Sequence, residues 1–290
     1  MRTPIHTPYK NGNGGVQVGL EPISSSEWFE IDNLFLSEIE NKKNLFNTKH
    51  KQVYQDTPES INSQKEVLES ILENLLLYHP KHCEEAKKNL TFRDNLTPLE
   101  SAALLVQEDL LIMMPKNEEY FLSAASLCSP SNWSLREKFK KSLLNLHKDV
   151  PSYSDLIGER VNHLFTNLKN NRIFQRFNWS IYESPELYQP ALNKASINRA
   201  DNISETNAGD KLFIRVERQT IKKLNISKSI LFTVRVHITP LVEIKNDLDL
   251  LKDLKKGIKN LTAPLKHYKS IDQIEEPLTS WLKAAISNLE

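Results

Sequence analysis

The chain has 290 residues, and its 38 lysines and arginines against 37 aspartates and glutamates leave a formal net charge of +1. That balance gives no bulk attraction to nucleic acid or to an anionic membrane surface, and no apolar run approaches the length of a membrane span or a signal-peptide core. Hydrophobic residues make up 39% and charged residues 26%, as in a globular protein, and the two cysteines, Cys83 and Cys128, cannot build a disulfide framework and fit a reducing, cytoplasmic setting.

In chain order, residues 1–22 hold prolines and the glycine cluster Gly12–Gly15, which reads as an arm or turn. Ser24-Ser25-Ser26-Glu27 has the form of a helix cap, and Ile31, Leu34, Phe35, Glu38 and Ile39 follow at helical spacing. A second helix is predicted from about Ser60, with Val67, Leu68, Ile71, Leu72, Leu75 and Leu76 on one face and Pro80 as its stop. Thr97-Pro98-Leu99-Glu100 reads as a cap with proline at the first helical position. Strands begin next. Leu104 to Met114 is a near-continuous apolar run broken by Gln107-Glu108-Asp109, and Tyr120 to Cys128 is similar, although period alone does not separate such runs from a buried helix.

Leu135 to Leu146 and Asp155 to Leu168 are predicted helices, the second with Leu156, Val161, Leu164, Phe165 and Leu168 inward. Phe174 to Ile181, Leu212 to Thr220 and Ile230 to Ile238 then alternate at period two, the last two as a hairpin around the polar turn at 225–229. Residues 191–210 read as a surface loop, and from Leu248 the chain returns to helix, with Trp281 and Leu282 packing near the end. The fold class is α+β: an antiparallel sheet flanked by helices, with a helical N-terminal region and a C-terminal helical tail. The organisation divides as 1–98 for the arm and first helices, 99–245 for the core and 246–290 for the tail, which together can form one domain.

Only 7 glycines are present, and the chain has no Gly-rich nucleotide loop, Cys-x-x-Cys, His-Glu-x-x-His or Gly-x-Ser-x-Gly. Among eight histidines, His79 and His82 stand near Cys83 but lack a fourth ligand and read as a solvated turn. His163 and His267 read as surface residues, and His237 alternates within the third strand, facing pocket or solvent. His147 ends an apolar helical run before Asp149-Val150-Pro151; local chemistry makes it a cation at a helix C-terminus or an imidazole aimed into a pocket. In the hairpin, Arg215 and Glu217 share one face and Arg218 the other. With Arg176 and Arg235 they read either as a cross-strand ladder or as guanidinium forks for an anionic ligand.

The order of motifs resembles the family of haem-dependent oxidative N-demethylase catalytic (alpha) subunits. It runs through Thr7-Pro8-Tyr9, Gly19-Leu20, Trp28, Asp32, Val106-Gln107-Glu108-Asp109-Leu110 and Ser126-Leu127-Cys128 with Pro130-Ser131-Asn132-Trp133 and Lys138. His147-Lys148-Asp149-Val150-Pro151-Ser152-Tyr153, Arg176-Phe177-Asn178-Trp179-Ser180 and Arg215-Val216-Glu217-Arg218-Gln219-Thr220 complete it. The resemblance implies a PAS-like sheet holding haem b, with His147 as ligand to the iron and Arg215, Arg218 and Arg176 as propionate partners. It further implies oxygen-dependent demethylation of a small methylated amine, with Glu217 and Tyr153 on the substrate side. No flavin or iron–sulfur motif is visible, so electrons are expected from a separate flavin and iron–sulfur reductase. The alternative from another class is a non-catalytic haem or small-ligand sensor on the same sheet.

Overall fold

The computed structural model describes residues 4–14, 19–117, 119–148, 151, 161, 163–170, 172–190 and 202–290. The three alternating segments are its three longest strands: β5 (Ile173–Tyr182), β6 (Phe213–Lys223) and β7 (Ile230–Pro240). With β1 (Glu21–Ile23), β2 (Tyr54–Asp56), β3 (Asp109–Lys116) and β4 (Glu119–Ser126) they form a seven-stranded sheet of order β1-β5-β6-β7-β3-β4-β2. Every neighbouring pair is antiparallel.

Because side chains alternate across a strand, the register separates two faces of different chemistry. One face carries Asn178 beside Glu217 and Ser180 beside Arg215 on β5 and β6, then Phe232 on β7 beside Leu111 on β3. Leu111, Met113, Leu122 and Ile221 pack there with Leu135, Leu143 and Phe165. The other face is covered by two groups of helices. Helices 35–48, 61–78 and 98–103 pack on Leu110, Ile112 and Leu231, while helices 248–260 and 275–287 pack on Trp179, Ile214 and Val216.

Local sequence explains the helix boundaries. Thr97 accepts from the Glu100 amide at 3.2 Å and Glu100 accepts from the Thr97 amide at 2.9 Å, a closed capping box with Pro98 behind it. The helix Ile61–Tyr78 buries Val67, Ile71 and Leu75, but Leu76 is 61% exposed and lies off the inward face. Pro80 both stops that helix and starts the next, Pro80–Lys87.

One expected strand and one expected helix take other bounds. Strand β3 starts at Asp109, not near Leu104, because the carbonyls of Ala103, Val106 and Glu108 turn inward to accept from the buried Lys42 ammonium at 3.1, 2.9 and 2.6 Å. The helix expected over 135–146 is two short helices, Leu135–Lys138 and Leu143–Leu146. Between them Lys140 takes a φ of 62°, and the backbone of 140–141 bonds to Leu122 instead of continuing the helix. Of the helix expected over 155–168, residues 155–160 and 162 lie outside the described residues, as do 191–201 of the expected loop. No described helix is long and apolar enough to cross a membrane.

Candidate functional site

A cavity of about 630 Å³ lies between the Glu217 face of the sheet and the segments that cover it. Its volume falls in the range of small-molecule and cofactor sites. The lining changes character across the sheet. On β5 and β6 it is polar, with Arg176, Asn178, Arg215, Glu217 and Gln219; on β7 and β3 it is apolar, with Phe232, Val234, Leu111 and Met113. Leu143, Leu146, Phe165, Lys138, His147 and Lys269 complete the parts used below.

His147 is the residue that ends the helix Leu143–Leu146. Its Nδ1 lies 3.0 Å from the Leu143 carbonyl, so the ring carries its proton on Nδ1 and its lone pair on Nε2. Burial, with the nearby charges of Arg176 and Lys138, holds its pKa below the ordinary histidine value. That favours the neutral imidazole, the form that ligates metals.

Glu217 accepts from Ser131 Oγ, from Gln219 Nε2 at 2.8 Å and from Asn178 Nδ2 at 3.4 Å. Asn178 Oδ1 in turn accepts from Lys269 Nζ at 2.8 Å, and the same ammonium donates to the Trp179 carbonyl. Burial pushes the Lys269 pKa down to about 8, against the attraction of Glu217. Lys269 is a cavity residue that sequence reasoning missed. It follows the helix Ala263–Tyr268 directly and precedes Ser270, whose φ of 54° turns the chain, and nothing in the spacing of the tail marks it.

The predicted arginines separate. Arg176 lines the cavity. Arg215 also lines it, but its guanidinium is a clamp on backbone: it donates to the carbonyls of Ser129, Pro130, Leu187 and Glu186 at 2.9, 3.3, 3.1 and 3.3 Å and to Ser131 Oγ at 2.9 Å. Arg218 points to the opposite face, where it donates to the carbonyls of Trp28 and Glu27 at 3.1 and 2.5 Å and to Gln175 Oε1 at 2.9 Å. Arg218 thus lies outside the cavity lining, whereas it was expected beside Arg215 and Arg176. The clamp assigns the donors of Arg215 to scaffolding.

Tyr153 lies outside the described residues. His237 faces away from the cavity and meets Glu30 at 2.8 Å. The stretch His79–Cys83, expected as a solvated turn, is instead the cap and first turn of the helix Pro80–Lys87 and is less solvated than its composition suggests. Cys83 is buried, and His82 packs edge-on against Phe35 and bonds to the Leu105 carbonyl at 3.1 Å.

Residues 19–279 match the family described as haem-dependent oxidative N-demethylase, alpha subunit-like. The chain belongs to that family. The resemblance carried by the ordered motifs is thereby borne out over most of the sequence. Within this haem-dependent oxidative N-demethylase alpha subunit-like chain, the matched span contains His147, Arg176, Asn178, Arg215, Glu217 and Lys269, so every polar cavity residue argued above falls inside it. His6 falls outside.

Proposed function

We propose that this chain is the oxygen-handling subunit of an oxidative N-demethylase, which binds haem b in the cavity through His147 and demethylates a small methylated amine. The observation that carries this reading is the imidazole of His147, oriented by the Leu143 carbonyl on the wall of a cavity that is apolar on one side and polar on the other. The residues present fit such a group. Phe232, Val234, Leu111 and Met113 offer an apolar face for a porphyrin, and Arg176 and Lys138 offer cations for propionates. The antiparallel sheet with a helix-covered cavity on one face supports the PAS-like reading, and the buried free cysteines Cys83 and Cys128 support a cytoplasmic setting.

When bound, haem supplies the oxygen chemistry that oxidises the N-methyl carbon, and the methyl group leaves as formaldehyde. The chain's own residues have separate tasks. The Leu143 carbonyl orients His147 so that Nε2 is the ligating atom. The apolar wall excludes water from the reacting carbon. The Glu217 carboxylate, held by Ser131, Gln219 and Asn178, accepts N–H bonds from the amine and holds it as an ammonium. Electrons come from a separate flavin and iron–sulfur reductase.

The test is spectroscopic first. The protein purified with haem supplied should show a Soret band, and His147→Ala should abolish or strongly shift it. Absence of the band in the wild-type protein overturns haem binding, and an unchanged band in the variant overturns His147 as ligand. Formaldehyde release from methylamines with a supplied reductant then separates the enzyme from a haem sensor.

A further inference from the structure

On the face of the sheet opposite the cavity, three stretches distant in sequence converge on one carboxylate. His6 Nε2 lies 2.7 Å from Glu30 Oε1, and His237 Nε2 lies 2.8 Å from Glu30 Oε2. The ligand atoms of the three residues all fall within 4.8 Å of one another. We propose that His6, Glu30 and His237 form a second metal site, independent of the haem cavity, for Zn²⁺ or a similar first-row divalent cation with water completing the shell.

Two imidazole nitrogens and one carboxylate oxygen are the donor set of borderline cations such as zinc, whereas calcium and magnesium take oxygen. Zinc bonds of about 2.0–2.1 Å place tetrahedral donors about 3.3 Å apart, a spacing that falls within the 4.8 Å spread of the three ligand atoms. The frame around the trio is fixed: the His6 ring packs on Phe177 with centroids 4.7 Å apart, and the Glu30 amide donates to Glu108 Oε1 at 3.0 Å.

Charge and access are also compatible with an ion. Arg218 Nε lies 3.5 Å from Glu30 Oε1, but the guanidinium has its own acceptors in Trp28, Glu27 and Gln175, so it does not depend on the Glu30 carboxylate. Asp32 and Glu38 are engaged by Arg235 and do not compete. The side chains of His6, Glu30 and His237 are 21, 25 and 11% exposed, which leaves a path for an ion and for a water ligand. Since His6 precedes the span shared with the family, an ion here would tie the arm of this particular chain to β7.

The test is calorimetric titration of Zn²⁺ into the full chain after treatment with a chelator, with the melting temperature followed in parallel. We expect one Zn²⁺ per chain and a raised melting temperature. His6→Ala, which removes the ligand that the arm supplies, should weaken binding by at least about tenfold, and His237→Ala should do the same. His147→Ala should leave zinc binding unchanged, so failure of the haem reading and failure of this one are distinguishable. No stoichiometric uptake by the wild-type chain overturns the site, and so does undiminished affinity in His6→Ala. A trio that only fastens the arm would lower the melting temperature of His6→Ala yet take up no zinc, which also overturns the proposal.

Discussion

Arg218 and Arg235 stand directly opposite each other on β6 and β7, both buried, on the face away from the cavity. Like charges in that position repel, and the fold answers with acids from the N-terminal segment. Arg235 pairs with Asp32 at 2.9 Å and Glu38 at 2.8 Å, and Gln107 donates to both carboxylates at 2.9 Å. Arg218 is met by the Trp28 and Glu27 carbonyls and by Glu30.

From this arrangement Arg235→Met should be strongly destabilising, by about 3–5 kcal/mol, because it strands buried carboxylates without a cation. Urea denaturation measures the loss. A change under about 1 kcal/mol would show that the acids rearrange to reach water.

Arg215→Lys distinguishes scaffold from ligand partner. A lysine cannot reach the four carbonyls that the guanidinium fork serves, and each buried acceptor left open costs about 1–3 kcal/mol. Stability should fall while haem affinity of the folded fraction stays near the wild-type value. Loss of haem affinity at unchanged stability would return Arg215 to the propionate set.

For Glu217→Gln the expected defect is in the amine. Hydrogen bonds to a charged group contribute about 1.5–3 kcal/mol, so kcat/KM for a methylated amine should fall about tenfold to a hundredfold. The Soret band should be unaltered. Unchanged kcat/KM would move substrate recognition elsewhere in the cavity.

Asp109 should leave a signature in the pH dependence of stability. Burial pushes its pKa up from 3.8 to about 6, only partly offset by Lys42 and by the amides of Cys128 and Ser129, each 2.7 Å away. A carboxyl whose folded pKa lies above its unfolded one contributes stability that is complete below the unfolded value and is lost as pH rises through the folded value. The stability difference between wild type and Asp109→Asn should therefore shift by up to about 3 kcal/mol against the wild type between about pH 4 and 7. A pH-independent difference in urea midpoint would show that folding leaves the Asp109 pKa where it is in the unfolded chain.

The sequence made the long strands and their faces legible, since alternation alone places Glu217 and Arg218 on opposite sides. It did not reveal the partners, because face is a local property and partnership is not. The carbonyls that hold Arg218 lie 190 and 191 residues away. His147 reads as a helix-end residue and is one; its place on the cavity wall depends on the break at Lys140, which no propensity marks. Lys42 misled in the other direction, since gathering three carbonyls makes an apolar run turn where period suggests a strand. The cavity lysine Lys269 comes from a tail that looks like surface helix.

The two arginine clamps on β6 also bear on how the chain avoids misthreading. Arg215 and Arg218 are three residues apart on one strand and occupy carbonyl nests on opposite sides. Sliding β6 by one residue would exchange its faces: one direction brings Ile214 and Glu217 to the two rings of carbonyl oxygens, the other brings Val216 and Gln219. An acid is repelled there and an aliphatic side chain leaves the ring unsatisfied, so the first slip is penalised in both nests and the second in that of Arg215. The strand that furnishes the cavity thus proofreads its own alignment.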